Sequence, residues 1–318
     1  MFLLRLLNRT SKKEILTRSQ LSIFDYKKII DEIPLYPTDI VIDNNYYGLS
    51  YCLQKYMETK KPLNAYIEHG LILGSLVKED AIDWCVPKIM TLSETRENHI
   101  RKKTSKVVFK IGPYIHYADD LLSEQKFQKL KQELGMTLVV FPSHSIKNIE
   151  TDFNNNDLIT FIKSKEVDFD AVVICLYWRD ALNKDLVKSY TNKGYKITSA
   201  GHINDINFLP RLKSIIKLSD FVISNSVGTH IGYITFLEKP QMILNQIVNY
   251  KVDKNDQRAF TQRTKKNLET LEEETSEILE SFHSYSYQIS QQQIKTVEKY
   301  WGLSELKTKN ELLEFIIN

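Results

Sequence analysis

The residue types best suited to binding phosphate lie in one short turn, S-N-S-V-G-T. The apolar segment F-V-I before it predicts a buried strand, and the segment I-G-Y-I-T-F-L-E after it predicts a helix. Such a turn presents unpaired N–H groups and hydroxyls at the positive end of a helix dipole. Each residue could equally serve as an ordinary helix cap, so the ordered series carries the interpretation. The candidate phosphate-binding residues are Ser224, Asn225, Ser226, Gly228 and Thr229.

A second candidate phosphate contact, the sequence P-S-H-S, follows the apolar segment T-L-V-V-F. His144 stands between the hydroxyl residues Ser143 and Ser145. An imidazole that donates a hydrogen bond there can stabilise a phosphate leaving group as negative charge grows on it. The competing interpretation is a buried histidine–serine pair. His202, which follows the predicted strand K-I-T-S-A, is a candidate contact for a base or ribose.

A candidate general base ends the segment N-A-Y-I-E-H-G. The ordinary pKa of histidine lies near working pH, so His69 could deprotonate an acceptor hydroxyl. Glu68 would assist His69 or would itself be the base, and Gly70 permits a tight turn close to a substrate. A histidine that only caps the loop is the competing interpretation.

Two successive series of strands and helices are needed to position these residues. The first contains T-D-I-V-I-D-N-N, N-A-Y-I-E-H-G, K-I-M-T-L-S and V-V-F-K-I-G, and the second contains T-L-V-V-F, D-A-V-V-I-C-L-Y-W, K-I-T-S-A and F-V-I-S. This alternation predicts parallel sheets between helices, with ligands at the carboxyl ends of the strands. After Val248 the chain is predicted to be polar and helical, with residues 264–282 as a solvated helix.

The chain resembles the C-terminal domain of GT-B-type glycosyltransferases from the predicted helix ending in Ser219-Asp220 to Lys239-Pro240. It is most similar to the branch of bacterial capsule and lipopolysaccharide transferases, sialyltransferase-like enzymes and teichoic-acid glycerophosphotransferases. In that branch the S-x-S-x-G turn cradles the phosphates of a nucleotide-activated donor. The acidic residue that many of these enzymes place on the donor corresponds to Glu238. His144 occupies the place of a His-Pro motif, although no proline follows it here, and His69 that of a proposed base.

The resemblance implies an α/β fold with two Rossmann-like, doubly wound domains that face each other across a cleft. It implies an acceptor-side domain over residues 1–120, a donor-binding domain over 121–270, and terminal helices over 271–318 that pack back on the first domain. The implied enzyme is a metal-independent glycosyltransferase without a cofactor, acting in capsule or lipopolysaccharide biosynthesis. Its donor would be a CMP-, CDP- or UDP-linked sugar, and its acceptor a saccharide or a lipid-linked molecule.

Two other classes of function stay open. The first is a nucleotide-sugar epimerase or hydrolase on the same fold, which would need several acidic groups for proton transfer. The second is a non-catalytic export or scaffold component. The motifs of P-loop enzymes, standard Rossmann dehydrogenases, zinc proteases and α/β-hydrolases are absent from the sequence. Asp168-Phe169-Asp170 matches a metal-binding pattern in letters only, because it leads into a predicted strand.

Composition agrees with a globular protein: 42% of the 318 residues are hydrophobic and 26% are charged. A net charge of +3, without basic residues interleaved with aromatics, argues against nucleic-acid binding. Three widely spaced cysteines predict free thiols and a cytoplasmic location. Residues 1–13 mix leucines with basic residues. They predict either a helix at the surface of an anionic membrane or a first helix packed on the core.

Overall fold

The computed structural model of this chain describes residues 10–83, 86–146, 149–252 and 268–317. The strands are β1 (Tyr66–Ile67), β2 (Lys88–Thr91), β3 (Val107–Lys110), β4 (Thr137–Phe141), β5 (Ile149–Phe153), β6 (Ala171–Cys175), β7 (Lys196–Thr198), β8 (Phe221–Ser224), β9 (Gln241–Ile243) and β10 (Val248–Val252). The first helices are α1 (Lys12–Ser19), α2 (Tyr26–Ile29), α3 (Leu49–Tyr56), α4 (Glu79–Asp83), α5 (Glu94–Arg101) and α6 (Glu124–Leu134). The later ones are α7 (Asn155–Lys165), α8 (Lys184–Thr191), α9 (Phe208–Leu218), α10 (Thr229–Phe236), α11 (Leu268–Phe282), α12 (Gln291–Trp301) and α13 (Lys309–Ile317).

The second half of the chain forms a five-stranded parallel sheet with the order β7-β6-β4-β8-β9. Its central strands consist almost wholly of buried apolar residues, as expected when helices cover both faces. Strand order reverses between β4 and β8, because the chain winds outward from this pair in both directions. Ligands in such sheets bind outside the carboxyl ends of the strands at the reversal point. The doubly wound arrangement predicted for this half is therefore present.

The first half forms a smaller parallel sheet of three strands in the order β1-β2-β3. The strand predicted at Thr38 is wrong: the chain is irregular there and enters a 3₁₀ helix over Ile42–Gly48. The side-chain amide of Asn44 replaces the missing strand. Its Nδ2 donates to the carbonyl of Ala65 at 2.7 Å, and its Oδ1 accepts from the N–H of Ile67 at 2.8 Å. The sheet has no reversal of strand order, so this half is not doubly wound.

The region after Val248 differs from the prediction in two ways. Strand β10 pairs antiparallel with β5 in a two-stranded ribbon, where a helix was predicted. Helix α11 is not solvated all round, because it buries Ile278, Phe282 and the carboxylate residue Glu274. Charged residues dominate the sequence of α11, but the apolar residues recur on one face and pack against the rest of the molecule.

The terminal helices contact both halves of the chain. Trp301 at the end of α12 is fully buried and packs directly on Gly232 in α10 of the second half. In α13, the ring of Phe315 stacks on Phe109 of β3 with a centroid distance of 4.1 Å. The largest hydrophobic cluster also joins both halves, since it includes Met90 of β2 and Val139 of β4. The predicted α/β class, with two parallel sheets that face each other across a cleft, is confirmed.

Buried ion pairs attach the N-terminal helix to the second half. Asp205 accepts hydrogen bonds from Arg18 of α1 at 3.2 Å and from Arg211 of α9 at 3.1 Å. Arg211 lies in the first turn of its helix, where a cation is unfavourable for the helix dipole. Its pairing with Asp205 explains that position. Within the described residues, no helix is long and apolar enough to cross a membrane, and no cluster of metal-binding side chains occurs. Residues 1–9 of the predicted membrane-surface segment lie outside the described residues.

Candidate functional site

A cleft of about 1460 Å³ lies between the carboxyl ends of the two sheets. One wall is formed by loops of the first half, and the other by the loops that follow β4, β6, β7, β8 and β9. Helix α11 and the β10 strand complete the rim. A volume of this size exceeds that of a typical small-ligand pocket, so it can hold two substrates together. The candidate residues that line it are His69, His144, Asn225, Ser226, Gly228 and Thr229.

The S-N-S-V-G-T turn connects β8 to the N-terminus of α10, as predicted. Gly228 is the N-cap residue of α10 and lines the cleft together with Thr229. The first N–H groups of the helix, which have no acceptor within the helix, therefore lie at the cleft wall. Asn225 is buried and braces the turn: its Oδ1 accepts from the N–H of Ser143 at 2.6 Å, and its Nδ2 donates to Gln246 at 2.8 Å. Ser226 and Gly228 line the cleft, and a helix N-terminus of this kind offers backbone N–H groups that are suited to an anion.

Ser224 does not face the cleft. Its side chain is fully buried, and its Oγ lies 2.9 Å from Nε2 of His230. His230 was not singled out from the sequence, although it directly follows the predicted turn. Its ring stacks on Phe141 at 4.8 Å and lines the cleft. Burial, with a smaller contribution from His144, lowers the pKa of His230 from 6.5 to about 3, so this imidazole is neutral at pH 7.

His144 projects into the cleft from the loop after β4, with its ring 4.8 Å from the ring of Tyr177. More than a third of the residue is exposed, yet the surrounding cleft walls desolvate the imidazole and lower its pKa. The two neighbouring hydroxyls do not flank the ring. The Oγ of Ser145 accepts from the N–H of Thr151 at 3.1 Å, and the buried Oγ of Ser143 has no hydrogen-bond partner among the described residues. Of the three predicted residues, His144 alone lines the cleft.

His202 is buried behind the cleft wall instead of lining it. Its ring packs on Trp178 at 4.4 Å, and its Nδ1 accepts from the N–H of Asn204 at 3.2 Å. The next two residues of the same loop, Ile203 and Asn204, line the cleft in its place. The loop that contains His202 therefore lines the cleft, whereas the side chain of His202 supports this loop from behind.

Glu238, the predicted donor contact, lies away from the cleft. It follows α10 and precedes β9, which runs parallel to β8. It therefore lies at the amino end of the sheet, whereas the cleft lies at the carboxyl ends. Its side chain is exposed, and Glu238 does not line the cleft. A helix of eight residues spans about 12 Å, and that length separates Glu238 from the turn that begins the helix.

His69 lines the cleft from the opposite wall. Its Nε2 lies 2.6 Å from the backbone carbonyl oxygen of Asp43. A carbonyl only accepts hydrogen bonds, so Nε2 carries the proton and Nδ1 is the basic nitrogen. Burial, followed by the nearby charge of Lys78, lowers the pKa of His69. The imidazole is therefore neutral near pH 7, which is the state a general base requires.

Glu68 is held away from the cleft, and the structure does not support it as the base. The residue is 1% exposed, and its carboxylate accepts from Arg96 at 2.6 and 2.8 Å and from Thr91 at 2.8 Å. Arg96 also donates to the carbonyls of Gly74 and Leu76. The ion pair thus fixes the loop that follows His69 and keeps the carboxylate out of the cleft lining.

The loop after His69 contacts the S-N-S-V-G-T turn directly. The N–H of Leu71 donates to the hydroxyl of Thr229 at 2.9 Å, and Gly70 lies so close that an added Cβ would be 2.3 Å from the same oxygen. Gly70 is therefore required by this close approach and by its φ of +67°. Thr229 has its hydroxyl engaged by the other half of the molecule, so its contribution to a ligand would come through its backbone N–H.

Charged groups are sparse in the cleft. Lys78 and Arg179 contribute positive charge, with the guanidinium of Arg179 placed 4.3 Å from the ring of Trp178. The carboxylates among the described lining residues belong to Asp43 and Glu272. The cleft therefore offers basic and neutral polar groups to an anionic ligand. It offers few acids for the proton transfers of an epimerase.

No protein-family model and no curated protein sequence match this chain. Among solved structures, the wall teichoic acid polymerase TagF is similar with a TM-score of 0.38 at 13% identity, over 80% of this chain and 62% of that one. The structure of S. aureus MnaA with UDP gives a TM-score of 0.42 at 11% identity, over 97% of this chain and 86% of that one. UDP-GlcNAc 2-epimerase from Neisseria meningitidis, bound to UDP-GlcNAc, gives a TM-score of 0.39 at 12% identity, over 97% of this chain and 88% of that one. This chain spans 62% of the length of TagF, and similarity at this level assigns no activity to it.

Proposed function

We propose that this protein is a GT-B-like glycosyltransferase that uses a nucleotide-activated sugar. One observation carries the proposal: the imidazole of His69, whose Nε2 is held by the carbonyl of Asp43, lines the same cleft as the N-terminus of α10 and His144. His69 is suited to activating a hydroxyl, and the helix N-terminus together with His144 is suited to holding a phosphate. The resemblance of the turn and its flanking elements to GT-B enzymes supports the same assignment.

In the proposed reaction, Nδ1 of His69 takes the proton of the acceptor hydroxyl as its oxygen forms a bond to the anomeric carbon of the donor. The bond between that carbon and the phosphate oxygen breaks, and the electron pair leaves with the nucleotide. The backbone N–H groups at Gly228 and Thr229, the dipole of α10 and a hydrogen bond from His144 stabilise the new negative charge. The hydrogen bond between Leu71 and Thr229 joins the two walls of the cleft next to His69.

The sugar donor is proposed to be CMP-, CDP- or UDP-linked, and the acceptor a saccharide or a lipid-linked molecule of capsule or lipopolysaccharide assembly. A cleft of about 1460 Å³ supports simultaneous binding of donor and acceptor. The sparse carboxylates of the cleft favour transfer over epimerisation.

Substitution of the base separates binding from transfer. We expect His69→Ala to reduce transfer about 10²- to 10⁴-fold, the usual contribution of general-base catalysis. Nucleotide affinity should change little, because the donor phosphates contact the other wall. Affinity would be measured by calorimetric titration with CMP, CDP and UDP, and transfer by nucleotide release. Absence of binding by all three nucleotides to the wild-type protein would overturn the proposed function, and wild-type transfer by His69→Ala would remove His69 as the base.

A further inference from the structure

The 3₁₀ segment Ile42–Gly48 lies between the two halves of the molecule and contacts both. Toward the first sheet, the amide of Asn44 bonds to the carbonyl of Ala65 and to the N–H of Ile67, at 2.7 and 2.8 Å. These bonds take the place of a neighbouring strand beside β1. They make the segment a fixed part of the edge of the strand that leads to His69.

The same segment sets the protonation pattern of His69. The carbonyl oxygen of Asp43 is 2.6 Å from Nε2 of that ring, and this contact keeps the proton on Nε2. If the carbonyl moved away, the proton would no longer be tied to Nε2, and the ring would be free to rotate and exchange tautomers. The position of Asp43 therefore decides whether Nδ1 is available as a base.

Toward the second half, the segment is held at its C-terminal end. The N–H of Tyr47 donates to the carbonyl of Ile203 at 2.7 Å, and the ring of Tyr47 packs edge-on against Phe208 at 4.8 Å. Gly48 lies against the backbone of Ile206, where an added Cβ would be 2.4 Å from the carbonyl oxygen. The hydroxyl of Tyr47 is also 3.4 Å from that of Tyr177, whose ring contacts His144.

The backbone conformation of this end is uncommon. Tyr47 has a φ of 59° and a ψ of 11°, and Gly48 has a φ of 72°. An aromatic L residue adopts this left-handed conformation only where its surroundings hold it, and such residues concentrate at functional sites. The surroundings of Tyr47 include the loop and helix of the second half, and its ring also lies edge-on to the ring of His69 at 6.4 Å. The strained conformation is therefore held in part by the contact between the two halves.

We propose that Ile42–Gly48 is a positioning element that couples the tautomer and orientation of His69 to the docking of the second half of the molecule. Tyr47 and Gly48 are its positioning residues, and Asp43 delivers the effect to the imidazole through its carbonyl. The inference rests on the proposed function of His69 as the base. It adds that the base is competent only when the two halves are in contact, which would suppress proton transfer in an open cleft.

The test uses Gly48→Ala, which places a methyl group against Ile206 and strains the backbone. The matched control is Gly194→Ala, since Gly194 has a φ of +83° but no atom within 4 Å of an added Cβ. Both variants impose left-handed strain, and only the first also disturbs the contact between the halves. The readouts are the tautomer of His69 from ring ¹⁵N shifts, the nucleotide dissociation constant, and kcat.

We expect the wild-type protein and Gly194→Ala to show the Nε2–H tautomer and equal kcat. Gly48→Ala should show a mixture of tautomers and a kcat lower by about 10²-fold, as small misplacements of catalytic groups cause. Its nucleotide dissociation constant should change less than about 3-fold, since the phosphate turn is untouched. Retention of the Nε2–H tautomer and of kcat in Gly48→Ala would overturn the inference.

If Gly48→Ala does not fold, Tyr47→Asn provides the same test. Asparagine tolerates the left-handed conformation, so the variant removes the ring contacts and keeps the backbone. A His69 tautomer unchanged from wild type in Tyr47→Asn would also contradict the inference. Because the tautomer is read without substrate, this result is independent of whether the wild-type protein transfers a sugar.

Discussion

The histidines of the cleft share one property at the scale of the residue: burial lowers the pKa of each. This holds for His69, His144 and His230, the last with a value of about 3. Neutral imidazoles accept protons from hydroxyls and donate single hydrogen bonds to phosphates without placing a permanent charge in an enclosed cleft. The sequence placed histidines at strand ends, and their protonation states come from the walls that surround them.

Substitution of His144 tests whether the nucleotide binds at the wall of the cleft that this residue lines. We expect His144→Ala to weaken binding of the preferred nucleotide by about 10- to 100-fold, because hydrogen bonds to charged groups contribute about 1.5–3 kcal/mol. The melting temperature should change little, since the side chain lines the open cleft and is not part of the hydrophobic core. Calorimetric titration and thermal unfolding measure the two quantities. His283→Ala, at an exposed histidine beyond α11, is the control, and equal affinity in both variants would remove His144 from the donor site.

At the scale of the element, α12 fixes the first turn of α10. The indole Nε1 of Trp301 donates to the carbonyl of Thr229 at 2.9 Å. The ring lies directly on Gly232, where an added Cβ would be 2.2 Å from the indole. The N-terminus that is proposed to bind phosphate is thus positioned by a helix that lies far from it in sequence.

We expect Trp301→Phe to lower the free energy of unfolding by about 1–3 kcal/mol, through the lost hydrogen bond and the cavity left by the smaller ring. It should also weaken nucleotide binding, because the turn at Thr229 loses its support. Urea unfolding and calorimetric titration would measure these changes. Tyr300→Phe is the matched control: it removes the hydrogen bond of the neighbouring Tyr300 to Glu277, on α11, and should leave nucleotide affinity unchanged. Equal nucleotide affinity in Trp301→Phe and the wild type would contradict the role of α12.

At the scale of the whole molecule, the neutral histidines make the fold sensitive to acid. As pH falls through 6.5, histidines of the unfolded chain take up protons, whereas His230 in the folded protein stays neutral down to about pH 3. The unfolded state then binds more protons, so the free energy of unfolding decreases as pH falls. His230 alone accounts for a loss of up to about 2 kcal/mol between pH 6.5 and 5.

Urea unfolding at pH 7.5, 6.5, 5.5 and 5 would show this loss in the wild-type protein. His230→Gln keeps a polar side chain in the first turn of α10 and cannot titrate, so its free energy of unfolding should depend less on pH over the same range. If the free energy of unfolding of the two proteins depends on pH in the same way, His230 is not the cause of the lost stability at low pH.

The N-terminal segment concerns the whole molecule, because binding of this segment to a membrane would determine where the protein acts. Residues 1–9 precede Thr10, which donates a hydrogen bond to the carbonyl of Pro34, and α1, which is anchored through Arg18. We expect deletion of residues 1–9 to keep the melting temperature and to abolish binding to vesicles that contain anionic phosphatidylglycerol. Co-sedimentation with anionic and neutral vesicles measures the binding. A large drop in melting temperature would assign the segment to the core instead.

The sequence by itself determined the second half of the molecule most fully. Strands β4, β6 and β8 are apolar, β-branched segments, and the polar turn before α10 has the composition that a phosphate site needs. These patterns act over a few residues, so local physics specifies them. The first half was predicted less well, because Asn44 forms with its side chain the bonds that a strand would have made.

Tertiary structure decided which side chains at the strand ends face the cleft. Arg96, 28 residues after Glu68, holds that carboxylate in a buried ion pair. Glu238 lies at the opposite edge of the sheet from the cleft. Leu71 and Thr229 meet although 158 residues separate them. Contacts over such separations leave no periodicity or motif in the sequence, because each partner satisfies only its own local pattern. The sequence therefore specified the edge of the sheet where the cleft lies, and the folded chain selected the residues that line this cleft.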